Sequence, residues 1–391
     1  MKAKRSQYST AKLPKLPLRL LTAVPICDGH DSAINTLNLE FIRHGIEVIY
    51  LGYHRSAADI VRAAIQEDVR AIGISSYNGG HVEFFAEVID RLKKQGADDI
   101  GVFGGGGGTI TAADAERMKK KGVDEIFFAG TSLVEVLAFV KKTYGAPAKP
   151  RIPSTREMVP HSELDIARHL TAAESGAAVA PCRGTTTPSA ARIWSRTVGI
   201  TGPGGAGKTT LIDELALRFL RANPRARLAI LSHDPSLVGQ GALLGDRATM
   251  IYSQDDRVFM RSVGTRGQAG GLSPATERCL QWLGHAGFEL VLIETVGIGQ
   301  EAMPFGSELV DKTVLVMSPD YGSRLQLQKI VMLDVADIVV VNKSDLAGAK
   351  TAAAEIEQRL ALNQRGQKLV LTIAKRHRDA GVDQLFGLLK P

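Results

Sequence analysis

The chain has 391 residues, 44% of them hydrophobic and 23% charged, which is enough apolar material for two or three domain cores and excludes a disordered or fibrous chain. Aromatic residues make up only 5% while glycines number 40, a balance that favours tight strand-to-helix turns over a β-sandwich. The formal charge of +7 would suit nucleic acid, but basic and acidic residues are interspersed except at the start, so no nucleic-acid partner is expected.

In chain order, residues 1–17 ("MKAKRSQYSTAKLPKLP") form a basic leader without an acidic residue. Its composition imitates a transit peptide, yet prolines interrupt any amphipathic period, so the expectation is a solvated tail on a cytoplasmic protein. No apolar run reaches the roughly 18 residues of a membrane span, and no membrane association is expected. Cys27, Cys182 and Cys279 share no CxxC spacing, which argues against a disulfide framework or a zinc site.

Residues 18–145 alternate short apolar runs ("LRLLTAV", "EVIYLG", "AIGISS", "GVFGG", "EIFFAG") with amphipathic stretches such as "HVEFFAEVIDRLKKQG". This pattern predicts five strands and five helices of a doubly wound α/β sheet. Residues 146–194 turn to prolines and small residues and predict a linker carrying one helix over "ELDIARHLTAAE". Residues 195–391 start a second α/β pattern, with strands at "RTVGITG", "RLAILS", "FELVLIE", "KTVLVMS", "DIVVVNK" and "KLVLTIA". The two halves share no motif, so they are two domains and not a repeat.

In the second half, "GPGGAGKTT" satisfies G-x-x-x-x-G-K-[ST] between a strand and a helical pattern. The backbone N–H groups of Gly204, Gly205, Ala206 and Gly207 can turn onto phosphate oxygens, at the positive end of the helix that Thr209 and Thr210 begin. Lys208 can reach the β/γ phosphates and Thr209 can ligate Mg²⁺. Asp234 in "LSHDPS" and Glu294 in "VLIETVG" end strands at the phosphate crevice, and Asp246 lies in "GALLGDRATM". One or two of these carboxylates would touch the cation, which keeps several waters. Lys208, Glu294 and Asp246 are the catalytic candidates, and Gly297 could present its N–H to the γ-phosphate. The base is chosen by "VVVNKSD": Asp345 can accept from guanine N1–H and N2–H₂, with Asn342 and Lys343 around the base and Ala374 and Lys375 in a loop that could close over it. Adenine would leave that carboxylate unpaired, so GTP is preferred over ATP. Arg247 and Arg266 are candidates for an arginine finger.

The combination of GPGGAGKTT, HDPS, LLGDRATM, TRGQAGGLS, ETVGIGQ and NKSD resembles the GTPase chaperones of adenosylcobalamin-dependent acyl-CoA mutases. That resemblance implies GTP/GDP and Mg²⁺ as ligands and switches at "GQGALLGDRATM", "ETVGIGQEAM" and "SPDYGSRLQLQ". It also makes the opening strand legible, because cobalamin modules of these mutases carry D-x-H-x-x-G, then S-x-L, then G-G. Asp28 and His30, Ser75, and Gly104 and Gly105 stand in that register, with Gly108 beside them. The implied fold is a flavodoxin-like cobalamin-binding domain ahead of a P-loop GTPase. His30 would ligate cobalt from below while Asp28 fixes its tautomer, and Ser75 with the glycines would hold the nucleotide tail. The motif glycine is Ala33 here and the S-x-L leucine is Tyr77, departures that touch the loop and the tail pocket.

The first half resembles that of the fused isobutyryl-CoA mutases, whose order is also cobalamin domain then GTPase, and the resemblance makes the isobutyryl-CoA and 2-hydroxyisobutyryl-CoA mutases the candidate types, because cobalamin subunits occur there as separate chains. A substrate barrel of about 250 residues has no place in these two domains. The resemblance therefore implies a separate large substrate-binding subunit as partner, a homodimer, and an adenosyltransferase as a further candidate partner. A GTP-regulated corrinoid sensor without a mutase partner is the alternative. The glycine run fails G-x-G-x-x-G at Thr109, which argues against a dinucleotide.

Overall fold

The computed structural model describes residues 16–26, 28, 32–106, 108–145, 162–176, 196–237, 239–297, 304–305, 309–321 and 330–390. His30, Cys27, Cys182, most of the leader and linker, and the greater part of the loops "ETVGIGQEAM" and "SPDYGSRLQLQ" lie outside the described residues.

Strands β1 (Arg19–Ala23), β2 (Glu47–Tyr50), β3 (Ala71–Ser75), β4 (Gly101–Gly105) and β5 (Glu125–Phe127) alternate with helices α1 (Ser32–Arg43), α2 (Ala57–Gln66), α3 (His81–Lys94) and α4 (Ala112–Lys121), and α5 (Leu133–Tyr144) follows. All pair in parallel in the order β5-β4-β3-β1-β2, because a strand joined to the next through a helix must cross over the sheet. Helices cover both faces, which is why the strands read as continuous apolar runs. Ile60, Ile72, Phe85 and Met118 fill one face. On the other, Phe103 meets the rings of Phe41, Phe127, Phe139 and Tyr144. Gly73 makes room for Phe103, since a Cβ there would stand 2.9 Å from its ring. Ser56, Thr111 and Ser132 cap α2, α4 and α5 in reciprocal capping boxes, each hydroxyl cap contributing about 1 kcal/mol.

The second sheet contains β6 (Arg196–Thr201), β7 (Leu228–Asp234), β9 (Val258–Gly264), β10 (Leu290–Glu294), β11 (Lys312–Met317), β12 (Ile338–Val341) and β13 (Lys368–Leu371). They run parallel in the order β13-β12-β11-β6-β10-β7-β9. Helices α7 (Lys208–Ala222), α8 (Thr276–His285), α9 (Ala349–Asn363) and α10 (Ala380–Leu389) pack on it. Strand β9 is absent from the six predicted runs: Arg261 interrupts "VFMRSVG", and nothing local announces that this arginine is buried.

Two elements join the halves. Helix α6 (Glu163–Glu174) puts Leu164 into the first core and Ile166, Ala167, Leu170 and Ala173 against α8. Strand β8 (Ala242–Leu244) leaves the second half and pairs in parallel with β2, Glu47 opposite Ala242 and Ile49 opposite Leu244. The first sheet therefore has six strands, the sixth drawn from the loop between β7 and β9.

Candidate functional site

Strand β6 ends at Thr201 and the chain turns at Gly202, whose φ is +143° and where a Cβ would stand 2.0 Å from the Val316 carbonyl oxygen. Only glycine fits there. Gly207, at φ +87°, opens α7, and a Cβ on it would meet the Asn342 amide nitrogen at 2.5 Å. Gly204, Gly205 and Thr210 are exposed around the mouth of this loop at the positive end of α7, where an anion is favoured, and the Ala206 N–H donates to the Pro203 carbonyl at 3.3 Å. Lys208 is buried and donates to the carbonyls of Gly202 at 3.1 Å and Pro203 at 3.3 Å. Burial lowers its pKa against the opposing pull of Glu294 and Asp246. Gly297 lies on the loop itself, since a Cβ there would stand 2.6 Å from Gly204 Cα.

The three predicted carboxylates converge beside this loop. Glu294 accepts from the Thr209 hydroxyl at 2.8 Å, and Asp246 accepts from the Ser232 hydroxyl at 2.5 Å. One buried oxygen each of Asp234 and Glu294 has no hydrogen-bond partner. Burial, then the neighbouring Asp246, pushes Glu294 up to about 8. Burial, then Asp246 and Glu294, raises Asp234 well above the carboxylate range, and burial raises Asp246. Partnerless carboxylate oxygens in a low dielectric are what a hard cation relieves. Among the described residues no three acidic, histidine or cysteine side chains are close enough to chelate a metal alone. Mg²⁺ takes one or two protein oxygens and completes its shell with phosphate and water, so one or two of these carboxylates with Thr209 would hold it.

His233 pins the "HDPS" turn. Its Nδ1 donates to the Glu294 carbonyl at 2.8 Å and its Nε2 meets the Thr276 hydroxyl at 2.8 Å, while burial pushes the ring down to about 4 and keeps it neutral. Neither candidate arginine finger is available. Arg247 is fully buried and bonded to Glu67, Gln66 and the Met260 carbonyl, and Arg266 is paired with Glu174 and Glu47.

At the base end, the Asn342 side chain is a brace: its Nδ2 donates to the Ala206 carbonyl at 2.9 Å and its Oδ1 accepts from Thr372 and from the Ala374 N–H, both at 3.0 Å. It locks the phosphate loop to the loop expected over the base. Lys343 follows at φ +57° and turns the chain toward Asp345. Lys375, 2.6 Å away, holds the Asp345 carboxylate below the usual range, so it is ionised, the form in which the expected pairing with guanine would be made.

In the first half, the sequence of strands places the crevice where strand order reverses, at the carboxyl ends of β1 and β3. Asp28, fully buried after β1, accepts there from the N–H groups of Tyr77 and, at 3.3 Å, Asn78. The aspartate thus ties the β1 loop to the loop after β3, with Ser75 at the strand end and the Tyr77 ring exposed. The glycines have an internal reason as well. A Cβ on Gly104 would meet the Phe85 ring at 2.4 Å and one on Gly105 the Phe127 carbonyl at 2.7 Å, whereas Gly108, at φ +97°, faces open space.

Charged residues cluster between the halves, and of these only Arg266 was singled out in the sequence, in a different role. Arg19 binds Glu47 at 2.9 Å and Glu174 at 3.3 Å, and Glu174 also binds Arg261 at 2.6 Å and Arg266 at 3.0 Å. Burial would raise Glu174, but Arg19, Arg261 and Arg266 outweigh it and hold the carboxyl at about 2. The only signal in the sequence was a charge in an otherwise apolar register, as at Arg19 and Arg261.

Comparison with known proteins adds kinship to this geometry. The family described as "Methylmalonyl Co-A mutase-associated GTPase MeaB" matches residues 166–388, and "B12 binding domain" matches residues 18–138. The "Fused isobutyryl-CoA mutase" of Geobacillus kaustophilus is 37% identical over 399 residues, covering 96% of this chain and 36% of that protein. That of Cupriavidus metallidurans is 36% identical over 402 residues, covering 97% and 37%. The mouse "Methylmalonic aciduria type A homolog, mitochondrial" is 33% identical over 202 residues, 49% of this chain and 48% of that one. The chain spans little more than a third of the length of the fused mutases it matches. With a phosphate loop, a carboxylate cluster and a match over more than half of its length, the chain belongs to the methylmalonyl-CoA mutase-associated GTPase family and carries a B12-binding domain ahead of the GTPase.

Proposed function

We propose that the chain is a GTP-hydrolysing metallochaperone fused to the cobalamin-binding component of an acyl-CoA mutase, and that it serves a separate large subunit that binds the acyl-CoA. One observation carries this reading: the stretch from β8 to Asp246 both pairs with β2 of the first sheet and brings a carboxylate against Ser232 at the end of β7, where it acts on Lys208 of the phosphate loop. Thr209, with one or two of Asp234, Asp246 and Glu294, would hold Mg²⁺, which supplies charge neutralisation at the phosphates. Lys208 releases its two loop carbonyls to meet the β/γ phosphates, Gly297 offers its N–H to the γ-phosphate, and Asp345 selects guanine. In the crevice at β1 and β3, Asp28 orients the loop that carries His30, the cobalt ligand in this reading. Ser75, Tyr77 and Gly108 line the entry of the nucleotide tail.

An adenosyltransferase as the source of adenosylcobalamin, a homodimeric assembly and a cytoplasmic location complete the proposal. Among the described residues no helix is long and apolar enough to cross a membrane.

Turnover of GTP by the purified full chain, with and without Mg²⁺, tests the first half of the proposal. Lys208→Ala abolishes it, and unchanged turnover in that variant removes the GTPase assignment. For the second half, His30→Ala loses the absorption spectrum of histidine-ligated cobalamin; a retained spectrum removes His30 as ligand. A chain of mutase-barrel size captured by the tagged protein from its own cell supports the large-subunit partner, and its absence favours a free-standing carrier.

A further inference from the structure

The outer edge of β9 is finished by side chains of the cobalamin-binding half. Gln66 donates to the Val258 carbonyl at 2.9 Å and accepts from the Met260 N–H at 3.1 Å. Glu67 accepts from the Ser262 N–H at 3.0 Å and from its hydroxyl at 3.0 Å. Both reach Arg247, Gln66 at 2.8 Å and Glu67 at 3.2 Å. Arg247 is the neighbour of Asp246, and one residue further the Ala248 carbonyl accepts from Arg55 at 2.8 Å. The short helical turn that carries Asp246 is therefore pinned from within by Ser232 and from without by three residues of the other half.

We propose that Glu67 is a positioning residue for the GTPase's metal site, acting with Gln66 and Arg55 through Arg247 to fix Asp246; this rests on the GTP and Mg²⁺ reading above. The guanidinium of Arg247 is fully buried, and Glu67 is its ion-pair partner. Without that carboxylate the charge has to be hydrated, and the loop that must shift to hydrate it is the loop of Asp246. The cobalamin-binding half thereby sets how tightly the other half holds its cation.

The test measures how much Mg²⁺ is needed to retain a fluorescent guanine nucleotide on the full chain, beside its affinity in EDTA. Glu67→Gln raises the half-saturating Mg²⁺ roughly tenfold, the usual cost of losing a partner behind a metal ligand, and leaves the EDTA affinity unchanged. Arg247→Met does the same, and the double variant is no worse than the worse single, because both act through one contact. Arg55→Met, which spares the buried cluster, shifts the midpoint about threefold, the worth of one hydrogen bond. A folded Glu67→Gln with the wild-type midpoint, or multiplying effects in the double variant, overturns the proposal. If the two cluster variants do not fold, Arg55→Met decides, and an unmoved midpoint there overturns it. Lys208→Ala separates the two readings: Mg²⁺-dependent retention that it abolishes, with Glu67→Gln unaffected, sinks the positioning role alone. A wild-type chain that never retains nucleotide sinks the GTPase reading and this proposal with it.

Discussion

The Asn342 amide touches three backbone or hydroxyl groups on two loops, and its burial makes each bond costly to lose. Asn342→Ala strands the Ala206 carbonyl and the Ala374 N–H, and is expected to destabilise the chain by about 3 kcal/mol in urea denaturation. Guanine nucleotide should also dissociate faster although Asp345 is intact; wild-type stability with wild-type dissociation would show that the brace carries no load. The NKSD and GPGGAGKTT patterns were legible because they are local, but the sequence set Asn342 around the base, and its bracing of two loops appears only in the fold. Ser232, Gln66 and Glu67 belong to no pattern, and what makes them matter is a neighbour up to 195 positions away.

Among elements, β8 depends on one glycine. A Cβ on Gly241 would stand 2.3 Å from the Ile46 carbonyl oxygen and 2.5 Å from that of Ile42. The Gly241 N–H donates to Ile42 at 3.2 Å, so the approach is part of the strand's docking. Gly241→Val is expected to cost about 1–3 kcal/mol through overpacking and to accelerate hydrogen exchange of the β2 and β8 amides while β12 and β13 keep their protection. Uniform loss of protection would mean that the strand is not an independent joint. The apolar runs of both sheets were readable because burial on two faces leaves a continuous signal. Strand β8 breaks that signal with the exposed Leu243 between two buried residues, and β9 hides behind Arg261, which is buried against Glu174, the Thr171 hydroxyl and the Gln66 carbonyl.

For the whole molecule, Arg19, Arg247, Arg261 and Arg266 against Glu47, Glu67 and Glu174 form the seam between the halves. Such a cluster adds little net stability, but removing one member leaves a buried charge and costs about 3–5 kcal/mol, so it selects one arrangement of the halves over others. Glu174 titrates at about 2 in the fold against 4.5 when free. Its depressed pKa contributes stability that is complete above about pH 4.5 and is lost as the pH falls toward 2. Thermal unfolding of the full chain should lose midpoint across that window, and Glu174→Gln, already lower at pH 7, should lose less there. An equal slope in both would place the acid sensitivity elsewhere. The seam was not legible because charged side chains in a sequence read as solvent-facing until the second half closes over them.

The route of the chain through β8 has a mechanical consequence. The backbone leaves one sheet after β7, is stitched to the edge of the other, and returns to the first at β9. Prying the two bodies apart must either peel that stitch or tug the Asp246 turn with it, so a pull across the seam is felt at the Asp246 carboxylate before either core yields.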